Sequence, residues 1–155
     1  MKIVKIISFN LIVFFVGVIF VEAVFGSWFK KDNFGFVIRD LRNVKIPMSV
    51  KYDQKKYKYL FERNDLGFIG ENIDPKKIDI IFLGGSTGEE MFVPTKYRIV
   101  DQLNSKFKID NLDIKIINAS KGGKTTRGYV NDFKYWFSKI ENFEPKIVIF
   151  YIGIN

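Results

Sequence analysis

The chain contains no histidine and no cysteine. The missing cysteines exclude disulfides, thiolate metal sites and a cysteine nucleophile. The missing histidines bear on any serine chemistry, because a serine hydroxyl without a positioned base is a weak nucleophile. Internal repeats and low-complexity tracts are absent too. So is a basic run: 25 Lys and Arg against 17 Asp and Glu give a net charge of +8, yet the lysines are spread over the whole chain. That scatter lacks the one-sided footprint of a nucleic-acid binder, so no nucleic-acid partner is expected. A contact of Lys30 and Lys31 with anionic lipid is the simpler reading of the charge.

Charge is scarcest near the N-terminus. Residues 6–25 read "IISFNLIVFFVGVIFVEAVF", broken only by Ser8, Asn10 and Glu22. About 20 apolar residues match a hydrocarbon core of about 30 Å, so a transmembrane helix or signal anchor is expected there, after a short basic tail over residues 1–5. A cleaved signal peptide is the alternative, given Lys2, Lys5 and the small-residue site around Val21-Glu22-Ala23; the apolar region is long for that. Glu22 lies near the end of the span, within reach of headgroups. Lys30, Lys31, Arg39, Arg42 and Lys45 follow the span, which by a plain count holds the large part in the cytoplasm. Long domains translocate largely regardless of such charge.

Residues 26–58 show no sustained period, and 26–62 are expected to be a juxtamembrane linker or cover. Regularity starts at Lys77. "IDIIFL" (78–83), "DIKIIN" (113–118) and "KIVIFYI" (146–152) are short apolar runs suited to strands buried on both faces. Val93, Tyr97, Val100, Leu103 and Phe107 form one helical face between the first two, and Phe133, Trp136, Phe137 and Ile140 another between the last two, with Pro145 closing that helix. Strand, helix, strand, helix, strand implies an α/β fold: a doubly wound, three-layer α/β/α, flavodoxin-like parallel sheet over residues 63–155. Three strands leave long apolar edges, so an incomplete domain is expected.

In open α/β sheets, ligands sit beyond the carboxyl ends of the strands. Here those ends carry Gly84-Gly85-Ser86-Thr87-Gly88, Asn118-Ala119-Ser120-Lys121-Gly122-Gly123 and Gly153-Ile154-Asn155. A serine on a tight strand-to-helix turn projects its hydroxyl clear of the sheet. An oxyanion beside it needs preorganised donors, which the Ser86 N–H, the Gly123 N–H and the Asn155 amide are placed to supply. The pattern points to acyl transfer with Ser86 as catalytic nucleophile and Gly84, Gly85 and Gly153 as supporting turn residues. Each feature has a plainer reading: Ser86-x-x-Glu89 is a capping box, and Gly122-Gly123 and Asn155 suit simple turns.

Gly84-Gly85-Ser86, "NASKGGKTT" and Gly153-Ile154-Asn155, in that order, resemble the three leading blocks of the SGNH or GDSL hydrolases, and "RNDLGFIGENI" (63–73) is similar to the segment before the first strand in anchored members. The resemblance covers roughly residues 63–155. It implies a serine esterase or acyltransferase acting on O-acylated envelope polysaccharide or lipid, extracytoplasmic, without metal or cofactor, with Gly123 as the oxyanion glycine. The family's base is a histidine in an Asp-x-x-His block, and no such block is present, so these residues alone are expected to be close to inactive.

Other classes remain open at this point. One is a membrane-tethered pseudoenzyme or glycan-binding module using the same rim. "GGKTT" (122–126) also looks like the end of a phosphate loop, though the full pattern needs a glycine where Asn118 stands and an acid to hold magnesium. Gly84-x-Ser86-x-Gly88 fits an α/β-hydrolase turn, without the upstream sheet and oxyanion loop of that fold. A Ser-Lys site using Lys121 or Lys124 would need a buried lysine.

Overall fold

The computed structural model describes residues 2–26, 28, 34, 38 and 41–152. It divides into two compact units, Met1–Asn33 and Phe34–Asn155. In the first, α1 (Lys2–Phe25) is a single helix with no buried residue and a mean hydropathy of 2.5 over its most apolar window. Its 24 residues rise about 36 Å at about 1.5 Å each. The helix is therefore long and apolar enough to span a membrane or to act as a signal sequence. The Glu22 carboxylate accepts the Trp28 N–H just past the helix end. Lys30, Lys31 and Arg39 lie outside the described residues.

The second unit is mixed α/β, but it opens with a hairpin where the sequence suggests linker. β1 (Val44–Tyr52) pairs antiparallel with β2 (Lys55–Arg63), Val44 opposite Arg63 and Tyr52 opposite Lys55. Alternation drives it: Val44, Ile46, Met48 and Val50 are half-buried while Lys45, Pro47, Ser49 and Lys51 are exposed. The two-residue turn holds Asp53 at φ 46° and Gln54 at φ 59°. Positive φ at both positions is the geometry that Asn-Gly favours and that costs an ordinary residue about 1–2 kcal/mol. The double substitution Asp53→Asn, Gln54→Gly is expected to stabilise the unit by about 1 kcal/mol, read as a higher urea midpoint; an unchanged or lower midpoint would contradict this turn.

The remaining strands form a parallel sheet in the order β4-β3-β5, with β3 (Ile80–Gly84) central, β4 (Ile116–Asn118) on one side and β5 (Ile147–Tyr151) on the other. Every residue of β3 is buried, as its unbroken apolar run requires. Its side chains alternate between two cores. Ile80 and Phe82 join Ile116 and Val100, with Leu103 and Phe107 of α3 (Ile99–Ile109) packed against them. Ile81 and Leu83 join Ile117, Tyr129 of α4 (Thr126–Tyr135), Trp136, Phe137 and Ile140. The expected helices are shorter than their apolar patterns: Val93 and Tyr97 precede α3, and α4 gives way to a 3-10 turn at Phe137–Lys139. Trp136 is fully buried, stacked on Phe68, and donates its indole N–H to the Leu66 carbonyl at 2.8 Å. That contact fastens the segment after β2 beneath the sheet. β5 is less well covered, with Ile147 and Phe150 about half exposed.

Candidate active site

β3 delivers the chain to the rim at Gly84, where a side chain has no room. A Cβ there would lie 3.0 Å from Gly88 Cα, 3.1 Å from the Tyr151 carbonyl oxygen and 3.2 Å from Ser120 Oγ. Gly85 occupies the cap position of the four-residue helix α2 (Ser86–Glu89), so Ser86 is the first helical residue. This corrects the capping-box reading: no side chain caps α2, and Glu89 turns elsewhere. The Ser86 side chain is exposed, and among the described residues neither its hydroxyl nor its N–H has a hydrogen-bond partner.

A buried polar frame fixes the ground beneath the serine. Arg63, at the end of β2, donates to Glu89 Oε1 at 2.6 Å, to the Ser120 carbonyl at 2.6 Å and to the Gly67 carbonyl at 3.0 Å. Its side chain is 2% exposed and that of Glu89 17%. Burial lowers the Arg63 pKa, and the hydrogen bond and charge of Glu89 oppose that shift. The second Glu89 oxygen accepts the Gly122 N–H at 2.8 Å. Asn118, the last residue of β4, donates to the Gly88 carbonyl at 2.8 Å and accepts the Ser120 N–H at 2.9 Å. The Lys121 N–H returns to the Gly84 carbonyl at 3.0 Å. The turn after β3 and the loop after β4 are thus held side by side.

Gly122, rather than Gly123, lies against the serine: a Cβ on Gly122 would be 3.8 Å from Ser86 Cβ. Gly123 follows at φ 73°, a conformation natural to glycine. Its N–H has no partner among the described residues. Gly153 and Asn155 lie outside the described residues. Ser120, the other serine of the rim sequence, is wholly buried beneath Gly84 and Gly88.

Among the described residues, Lys124 and the acids nearest Ser86 are already engaged. Glu89 is held by Arg63 and Gly122. Glu90 accepts the Ile99 N–H at 2.9 Å, and burial raises its pKa. Lys124 is ion-paired with the buried Asp132 of α4, and Lys121 adds a second positive charge near the same carboxylate. The Ser-Lys arrangement therefore finds Lys124 held by Asp132, while Lys121 makes no side-chain hydrogen bond or ion pair among the described residues. The phosphate-loop reading meets the same obstacle, since Thr125 also caps α4 by accepting the Gly128 N–H. Among the described residues no group of three or more acidic side chains is placed to hold a metal.

No protein-family model, curated protein or solved structure matches the chain.

Asp132 carries a titration signature. Burial raises its carboxyl pKa, while Lys124 and Lys121 oppose the shift. The folded state then holds that proton more tightly than the unfolded chain. The resulting stability is fully present below the unfolded value near 3.8 and is lost as the pH rises through the folded-state pKa. Relative to an Asp132→Asn variant, the wild type should gain stability as the pH falls from neutral toward about 4, measured by urea unfolding; parallel pH profiles would contradict it.

The sequence did not reveal Arg63 or the role of Glu89. Their contact joins positions 26 residues apart, and the one local signal, Glu89 three residues after Ser86, imitates a capping box.

Proposed function

We propose that this rim is the nucleophile and oxyanion half of an SGNH-type serine esterase site. The observation that carries the reading is Ser86 itself: an exposed hydroxyl at the carboxyl end of the central strand, on a turn that a buried frame immobilises. In the proposed reaction, Ser86 Oγ attacks an ester carbonyl and transfers its proton to a base. The Ser86 and Gly123 N–H groups donate to the oxyanion, joined by the Asn155 amide. Collapse of the tetrahedral intermediate passes the base's proton to the leaving oxygen and releases the alcohol, and water then cleaves the acyl group from Ser86. Such donors are each worth about 3–4 kcal/mol of barrier.

The base is the missing part. The 155 residues hold no histidine, Glu89 and Glu90 are hydrogen-bonded, and Lys124 is paired with Asp132. In this reading the base comes from a segment or partner outside these residues, in the role of the family's Asp-x-x-His block. The strand order agrees with the family's fold. Counted within the parallel sheet, β4-β3-β5 is the order 2-1-3 with which flavodoxin-like sheets begin, and the exposed apolar side chains of β5 suit a sheet that continues past it.

The proposed substrate is an O-acylated envelope polysaccharide or lipid, met at an extracytoplasmic membrane surface to which α1 anchors the domain. A second reading, a tethered glycan-binding module, draws on the absence of a base. The test is hydrolysis of a chromogenic acetate ester by the protein made from its natural gene. Catalytic turnover above the lysine-acylation background is expected; binding of acylated glycan without turnover would favour the second reading.

A further inference from the structure

Glu89 has no part in the chemistry proposed above, yet its carboxylate is the point where three segments meet. One oxygen receives Arg63 at 2.6 Å and the other receives the Gly122 N–H at 2.8 Å. A Cβ on Gly122 would stand 3.0 Å from Glu89 Oε2 and 3.8 Å from Ser86 Cβ, so serine, glycine and carboxylate share one contact shell. Glu89 closes the single turn of α2 that Ser86 begins, and Arg63 also holds the Ser120 carbonyl of the same loop. The loop after β4 is therefore fastened at Ser120 by the guanidinium and at Gly122 by the carboxylate.

We propose that Glu89 is a positioning residue of the Ser86 site: it fixes the Gly122 peptide against the serine and leaves the next N–H, that of Gly123, as the donor the loop presents to an oxyanion. The inference rests on the reading of Ser86 as nucleophile. The carboxylate is required because it offers two acceptor oxygens to two donors. An amide offers one acceptor and one donor group, so Glu89→Gln sets its NH2 against either Arg63 or the Gly122 N–H. Were the pair only a structural staple, its loss would lower the melting temperature and leave the reaction of Ser86 unchanged at temperatures where the protein stays folded.

The experiment follows inactivation by a fluorophosphonate probe in the protein made from its natural gene, as wild type, Ser86→Ala, Glu89→Gln and Arg63→Lys, with amide exchange at Gly122 read in parallel. Ser86→Ala should not be labelled. Glu89→Gln should lower kinact by about tenfold to a hundredfold, the scale of a misplacement near 1 Å, with KI unchanged and Gly122 exchange accelerated while the Ile81 amide in the core stays protected. Arg63→Lys, which keeps the charge but not the forked donors, should show a smaller loss in the same direction and carries the test if Glu89→Gln does not fold. Wild-type kinact in the folded variants, with Ser86→Ala unlabelled, would overturn the positioning role while the serine reading stands. Labelling of Ser86→Ala at the wild-type rate would overturn the serine reading and this inference with it.

Discussion

Ser86→Ala is expected to lower the proposed ester turnover by at least about a thousandfold, the scale on which removing a serine nucleophile acts, and to leave the unfolding free energy within about 0.5 kcal/mol of wild type, as for other exposed surface changes. Both halves follow from one geometry. The side chain is exposed and caps nothing, so folding loses little when the hydroxyl goes. The proposed acyl transfer loses its attacking atom. A serine kept as a cap would behave in the opposite way, costing about 1 kcal/mol of stability and no activity. Turnover by Ser86→Ala within tenfold of wild type would contradict the assignment.

Arg63→Met destabilises the domain by about 3 kcal/mol, the lower end of the range for breaking a buried ion pair. The methionine has similar reach but donates nothing, leaving the Glu89 carboxylate and the Gly67 and Ser120 carbonyls without their donor. Glu89 retains some solvent contact, which holds the effect below the fully buried limit. Adding Glu89→Leu should recover part of the loss, because removing both charges is less costly than stranding one. Near-UV dichroism of the buried Trp136 during urea unfolding reads the effect; a loss under about 1 kcal/mol would assign Arg63 to the weak class of surface pairs.

The parallel core was legible because its signal is local. Continuous runs such as "IDIIFL" announce strands covered on both faces, and the spacing of Leu103 and Phe107 announces the helix that covers one of them. The hairpin was not legible. Its turn, Asp53-Gln54, lacks the glycine that marks such turns, and its alternation is crowded with lysines. Helix ends were set by neighbours rather than by apolar period: Trp136 sits past α4 because its ring stacks on Phe68 and its N–H reaches Leu66. At the rim, the sequence located Ser86 and the glycine pair. Which glycine touches the serine, and what holds it, depend on Arg63 and Glu89, whose pairing spans two strands and a loop.

The central claim is that Ser86 is the atom that takes the acyl group. A fluorophosphonate reacts with an activated serine and leaves a stable adduct, so mapping that adduct in the protein made from its natural gene tests the claim directly. The tryptic peptide 78–96 should carry one adduct, on Ser86 and not on Thr87 or Thr95, the other hydroxyls of that peptide. An adduct elsewhere, or none under conditions that label a known serine esterase to completion, would contradict it.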